Sequence, residues 1–187
     1  VQEATEGKEV LWMFDDGGVS AVTEIAPRLA AHGLRGEFFI TTDRIGEGGF
    51  LDADQIRELQ ARGHVIGSHT CSHPPRISSL PNAELLREWT ESRQRLEEII
   101  GAPVTAASIP GGFYSRAVAA AAAQAGFTTL CSSAPTSRTW VVTGCLVRGR
   151  FALARGMPAS AAAALATGRG GACTRQWFWW NASKGAK

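Results

Sequence analysis

The feature that most constrains this chain is a repeated alternation: short apolar runs give way to longer amphipathic stretches, each closed by polar or glycine-rich punctuation. Val10 to Phe14 reads as a buried strand that stops at Asp15-Asp16-Gly17-Gly18, a tight turn. Val19 to His32 carries Val22, Ile25, Ala26, Leu29 and Ala30 at helical spacing, and Gly33 is placed as its stop. Glu37 to Thr41 is the next strand, centred on Phe38-Phe39-Ile40. Asp52, with Gln55 three residues on, forms a variant capping box for a helix containing Ile56 and Leu59 and ending at Gly63. Val65 to Ser68 leads straight into His69. Asn82 opens a long helix with Leu85, Leu86, Trp89, Leu96, Ile99 and Ile100 on one face, and Gly101 follows it. Val104 to Ile109 is a strand, Ser115 caps a helix to about Ala125, and Phe127 to Cys131 is a strand again. Further on, Trp140 to Arg148 reads as one strand, Ala159 to Ala166 as a helix, and Trp177 to Trp180 as a closing aromatic strand. Such alternation predicts an α/β fold in which parallel strands are wrapped by helices, as an open doubly wound sheet or a closed barrel. In both, chemistry gathers in loops at the carboxyl ends of the strands, and the polar clusters of this sequence fall there.

Composition narrows the function classes. The 187 residues are one domain's worth of chain, so residues 1–187 are expected to form a single domain, and 44% hydrophobic with 19% charged residues is a globular balance. The net charge is +2 with basic side chains scattered, which argues against a nucleic-acid surface. No apolar run approaches the roughly 20 residues a bilayer demands. The chain opens at Val1 without a charged-then-apolar leader, as a processed chain would, and its compartment is not encoded in these residues. Cys71, Cys131, Cys145 and Cys173 form no C-x-x-C, which excludes a zinc ribbon and a disulfide framework.

Three clusters carry possible chemistry. Asp15 and Asp16 are adjacent carboxylates after an apolar strand, where mutual repulsion and desolvation call for a cation or a shared proton. His69-Thr70-Cys71-Ser72-His73 places two imidazoles at i and i+4, on one face if the segment is a helical turn, able to converge on one metal ion. Cys71, between them, reads as packing. Two histidines and a carboxylate suit Zn2+, Co2+, Mn2+ or Fe2+ with positions left for water. His32, at a helix end, and His64, at a helix-to-strand turn, read as structural. Pro110-Gly111-Gly112-Phe113-Tyr114 ends a strand with glycines that let backbone N–H groups approach a ligand, as an oxyanion hole needs. Trp177, Phe178, Trp179 and Trp180 would serve either as core or as a sugar-stacking surface, and Asn181-Ala182-Ser183 fits the glycosylation acceptor pattern.

Phe14-Asp15-Asp16-Gly17 followed by His69-Thr70-Cys71-Ser72-His73 resembles the first two motifs of the polysaccharide deacetylases, the NodB-homology domain of carbohydrate esterase family four. Gly36-Glu37-Phe38-Phe39-Ile40 and Gly63-His64-Val65-Ile66-Gly67-Ser68-His69 resemble that family's second and third strands, and the similarity runs from about residue 9 to 130. The resemblance implies a distorted (β/α) barrel of about seven parallel strands and one divalent metal ion, Zn2+ first, with Co2+ or Mn2+ as alternatives. It assigns Asp15 as catalytic base and Asp16, His69 and His73 as metal ligands; the glycine turn places Gly111, Gly112 and Tyr114 at the oxyanion or substrate. It implies an acetylated carbohydrate as partner, an N-acetylglucosamine polymer or oligomer. The sequence departs from the pattern in three places. Ser108 stands where the third motif has an Arg that pairs with the catalytic carboxylate, Ser132-Ser133-Ala134-Pro135 lacks the Asp of the fourth, and no His follows His73 to act as general acid. With that acid missing, either Asp15 returns the proton it took, or a water on the metal supplies it with Arg148 or Arg150 assisting electrostatically. O-acetyl ester hydrolysis and a carbohydrate-binding module that has lost turnover are the alternatives. A two-histidine, one-carboxylate iron oxygenase fits less well with the adjacent Asp pair.

Overall fold

The computed structural model describes residues 10–154 and 156–166. Seven strands form one sheet: β1 (Trp12–Phe14), β2 (Gly36–Ile40), β3 (Val65–Ser68), β4 (Ala106–Ser108), β5 (Thr129–Cys131), β6 (Thr139–Val142) and β7 (Cys145–Arg148). Their spatial order is β1-β2-β3-β4-β5-β7-β6, and every pairing from β1 to β7 is parallel. A parallel sheet whose order follows the chain never reverses its winding direction, so right-handed crossovers put all the helices on one face. That excludes the doubly wound alternative and leaves a curled, barrel-like sheet. The helices are α1 (Ala26–Ala30), α2 (Ala53–Ala61), α3 (Asn82–Ile100), α4 (Arg116–Gln124) and α5 (Ala159–Ala166). α2 packs on α3, and α3 on α4, side by side along the sheet.

Strand alternation sorts the core. Phe38, Ile40, Ile66, Ala107, Leu130 and Val147 point to the helices and pack with Leu59, Trp89, Leu96, Val118 and Ala122. Phe39, Ala106 and Cys131 point the other way, with Met13, into the concave interior. Phe39 needs the space over its register partner Gly67: a Cβ there would lie 2.5 Å from the Phe39 ring.

Local chemistry explains most boundaries. Asp52 caps α2 through the Gln55 amide at 2.8 Å while the Gln55 side chain accepts from Asp52 N–H at 3.0 Å, the reciprocal box expected. Ser115 Oγ accepts from Val118 N–H at 3.2 Å and caps α4. Two elements differ from the sequence reading. The first helix is split into a π-helical turn, Ala21–Ile25, and the short α1. Pro27 has no N–H for the Thr23 carbonyl, so regular α-helical bonding cannot run through this segment. The stretch Trp140 to Arg148 is two strands, not one. Thr143 and Gly144 both adopt positive φ (50° and 84°), which folds β6 back onto β7 as a two-residue hairpin and makes β6 the one antiparallel strand of the sheet. Cys71, Cys131 and Cys145 are free and buried. Among the described residues no helix is long and apolar enough to cross a membrane. Cys173, the aromatic run Trp177 to Trp180 and the Asn181-Ala182-Ser183 pattern lie outside the described residues.

Candidate metal centre and its flanking carboxylate

The polar groups singled out in the sequence sit at the carboxyl ends of the strands. Asp15 and Asp16 follow β1, His69 to His73 follow β3, and the Pro110–Gly112 turn follows β4. Asp16 adopts φ 74°, a left-handed conformation that an aspartate tolerates better than most residues. Its carbonyl accepts from Thr41 N–H at 3.4 Å, and the Gly17 carbonyl from Leu51 N–H at 2.9 Å, which pins the turn to the segment after β2.

Asp16, His69 and His73 each turn one ligand atom toward a common point, all within 4.8 Å of one another. His69 Nε2 lies 3.3 Å and His73 Nε2 3.5 Å from Asp16 Oδ1. The His69 side chain is only 2% exposed, and its Nδ1 faces the Ser108 carbonyl at 2.9 Å. A carbonyl can only accept, so Nδ1 carries the hydrogen and, in the neutral ring, the Nε2 lone pair faces the Asp16 oxygen. Two acceptors facing each other at 3.3 Å require a proton or a cation between them. The donor set and its tautomer therefore fit a divalent metal ion. Where a proton takes that place, the His69 hydrogen bond first and then the charges of His69 and His73 hold the Asp16 carboxyl below its ordinary pKa, against burial and the Asp15 charge.

The helical turn expected of His69 to His73 is not there. The segment is a loop in which Thr70 (φ 67°) and His73 (φ 53°) are left-handed. It converges the imidazoles, with ring centroids 5.0 Å apart, by bending rather than by helical periodicity.

Asp15 stands beside the cluster rather than in it. Arg150 grips it with two bonds, Nη1 to Oδ1 and Nη2 to Oδ2, each 2.9 Å. Arg150 Nη2 also donates to Ser108 Oγ at 2.8 Å, and its Nε to the Ser132 carbonyl at 3.3 Å. The arginine side chain is 14% exposed and the aspartate side chain 31%. Burial acts to raise the Asp15 pKa, but the Arg150 bonds and charge, helped by His69 and Ser108, more than offset it and hold the carboxyl below the usual range. Of the two arginines considered from sequence, Arg150 reaches the site. Arg148 acts instead on the field at Glu37, whose carboxyl burial pushes up.

In the glycine turn, Gly112 N–H donates to the Ile109 carbonyl at 3.0 Å and Tyr114 N–H to the Gly112 carbonyl at 2.9 Å, so both amides are committed within the turn. The Tyr114 hydroxyl accepts from Trp140 Nε1 at 3.1 Å, which directs the ring toward β6. Gly112 has φ 64°, and a Cβ there would sit 2.4 Å from the Ser133 side chain. His64 is structural: its Nδ1 accepts from Gly36 N–H at 3.1 Å and its ring meets Phe38 edge-on.

Two groups beside the cluster escaped the sequence reading. Glu88 and Ser92 lie on the buried face of α3, in phase with Leu85, Leu96 and Ile99. A carboxylate and a hydroxyl at core positions of an amphipathic helix were the available signal.

Fold and site together define a distorted (β/α) half-barrel with a two-histidine, one-carboxylate cluster next to a guanidinium-paired aspartate. The family model described as polysaccharide deacetylase matches residues 2–130, and this chain belongs to that family. Over 89 residues it is 30% identical to a chitin deacetylase of Pestalotiopsis sp, covering 47% of this chain and 29% of that protein. Over 94 residues it is 28% identical to the peptidoglycan-N-acetylglucosamine deacetylase of Bacillus cereus, covering 50% of this chain and 32% of the other. The chain spans less than half the length of the curated relatives it matches. Among solved structures it is similar to IcaB from Ammonifex degensii (TM-score 0.71, 24% identity, 86% of this chain and 74% of that one). It is also similar to the Streptococcus pyogenes deacetylase PplD in complex with acetate (TM-score 0.66, 20% identity, 78% and 66%). At these identities the structural likeness establishes the fold.

Proposed function

We propose that this chain is a metal-dependent deacetylase that removes acetyl groups from N-acetylated sugars, an N-acetylglucosamine polymer or oligomer. The observation that carries this reading is a division of labour between neighbours: Asp16 belongs to the two-histidine cluster, while Asp15 is held out of it by Arg150. A module that only bound sugar would have no use for that second, oriented carboxylate. The chitin and peptidoglycan-N-acetylglucosamine deacetylases among the relatives support the substrate class.

Asp16 Oδ1, His69 Nε2 and His73 Nε2 would hold the ion, Zn2+ first and Co2+ or Mn2+ next. When bound, the ion supplies Lewis acidity toward the acetyl carbonyl oxygen and makes a neighbouring water more acidic. Asp15, kept ionised by Arg150, takes the proton of the attacking water; each of its oxygens still has a lone pair beyond the one Arg150 occupies. Gly111, at φ 56° in the glycine turn after β4, is assigned the oxyanion contact. The C–O bond to water forms, the acetyl C–N bond breaks, and Asp15 returns its proton to the departing nitrogen. Acetate and a free amine result.

One observation favours a second reading, O-acetyl ester hydrolysis. The sequence has four histidines, two in the cluster and two elsewhere, so none remains to act as general acid. An ester leaves as an alkoxide, which needs protonation less than an amide nitrogen does.

Acetate release from N-acetylglucosamine oligomers and from an O-acetylated sugar, with chelator and with zinc or cobalt restored, tests both. Chelator-sensitive release from the oligomers is the expected outcome. Release that ignores chelator would overturn the metal-dependent reading, and sugar binding without acetate from any substrate would replace it with a binding module.

A further inference from the structure

We infer that Glu88 is a positioning residue for the candidate metal centre, a buried carboxylate that sets the shape of the His69–His73 loop; this rests on the reading of Asp16, His69 and His73 as metal ligands. Glu88 projects from the middle of α3, and its side chain is 2% exposed. Its Oε2 accepts from two successive backbone amides, Cys71 N–H at 2.9 Å and Ser72 N–H at 3.0 Å, while Oε1 accepts from Ser72 Oγ at 2.8 Å. Three donors from two adjacent residues converge on one carboxylate, and those residues are the centre of the loop whose ends are the two imidazoles. The remaining ionic contact is Arg87 Nη2 at 3.4 Å from Oε1. A buried charge is tolerated where donors satisfy it, and here the loop backbone supplies most of them.

The loop has reason to need a template. Thr70 and His73 are both non-glycine residues in the left-handed region, so the segment does not hold its bend by intrinsic preference. Thr42 N–H to the Thr70 carbonyl at 3.1 Å and Asp43 N–H to the Cys71 carbonyl at 3.0 Å hold one side of the loop; without Glu88 on the other, His73, whose ring is the more exposed of the two, would drift from Asp16. α3 provides a second anchor one turn further on: Ser92 Oγ is 2.6 Å from Ser68 Oγ, which accepts from Thr70 N–H at 3.1 Å. Thr70 Oγ1 in turn accepts from His73 N–H at 3.2 Å. Glu88 and Ser92 are spaced i, i+4, so one helix face holds the loop at residues 68, 71 and 72. His69 is fixed separately by the Ser108 carbonyl and by its own N–H to the Ile40 carbonyl at 2.8 Å. Loss of Glu88 therefore acts mainly on His73.

The test uses the whole chain. Glu88→Gln keeps the shape but replaces one acceptor with an amide that opposes the loop N–H groups. Zinc affinity, read by chelator competition, should fall at least about tenfold, in line with outer-shell partners of metal ligands. In the metal-free protein, amide exchange at Cys71 and Ser72 should quicken while that of α3 stays at its parental rate, a pattern that general destabilisation would not give. Zinc affinity within twofold of the parent, with unchanged exchange at Cys71 and Ser72, would overturn the inference. If Glu88→Gln does not fold, Ser72→Ala removes one of the three donors and should weaken zinc binding a few-fold; a parental affinity there would overturn it. A parent chain that binds no zinc defeats the ligand reading itself, and the metal-free exchange rates then decide the role of Glu88 alone.

Discussion

The two sides of the site are assembled on different principles. On the cluster side, Asp16, His69 and His73 come from the ends of β1 and β3, and backbone contacts fix them: the Ser108 carbonyl, the Ile40 carbonyl and the loop amides on Glu88. On the side of the proposed base, Asp15 is fixed by one long side chain from 135 positions along the chain, after the hairpin of β6 and β7. The family resemblance implies an arginine at position 108; here that position is a serine that accepts a hydrogen bond from Arg150. At position 108 a short polar residue meets the guanidinium that arrives from position 150. The lesson is that a charge partner is defined by where its head group arrives, whereas a loop that bends two imidazoles together depends on its local sequence.

That contrast can be broken in several ways. The largest effect is expected from His69→Ala, which should abolish stoichiometric zinc binding, measured by chelator competition, and acetate release with it. Asp15→Asn should lower acetate release by about 10²–10⁴-fold, as loss of a general base does, while leaving zinc affinity within a few-fold. Near-parental turnover in Asp15→Asn would end the assignment of that residue as base. Arg150→Gln should cost about 10–100-fold in kcat/KM. It should also move the acid limb of the pH profile upward, because burial alone raises the Asp15 pKa and the guanidinium is what lowers it. Ser108→Arg in an Arg150→Ala background should recover part of that loss if head-group position is what counts. The stability that the pair contributes is present above the ordinary carboxylate pKa and fades as pH falls through the depressed one, so Arg150→Gln should narrow the difference in melting temperature between neutral and acidic solution. The smallest effect belongs far from the site: Asp52→Ala should cost about 1 kcal/mol of stability through the lost cap of α2, with unchanged acetate release.

How legible the molecule was depends on the range over which its determinants act. The capping box at Asp52, the Ser115 cap and the strand around Phe38 are local and could be read directly. The three proposed ligands were legible as residue types, but the loop conformation that unites them was not. The i, i+4 spacing of His69 and His73 suggested a helical turn, yet left-handed Thr70 and His73 together with Glu88 make a bend instead. Thr143-Gly144 is a weaker hairpin signal than Asn-Gly, so two strands read as one. Arg150 was visible only as one of two nearby cations, since nothing local tells which of Arg148 and Arg150, on β7 and just beyond it, turns toward β1. Glu88 was masked by its neighbours: it shares one buried arc of α3 with Leu85, Trp89, Leu96 and Ile99, whose apolar periodicity dominates the helix.

The grip of Arg150 on Asp15 also orders events in time. A ribosome releasing this chain delivers both aspartates, both histidines and the whole stretch matching the family before residue 150 is made. A nascent polypeptide halted near residue 130 would already own every atom of the proposed ion site, yet the carboxylate proposed as base would lack the guanidinium that tunes it. Chemical competence, as proposed, is thus expected to mature after ion capture, when the β6–β7 hairpin docks.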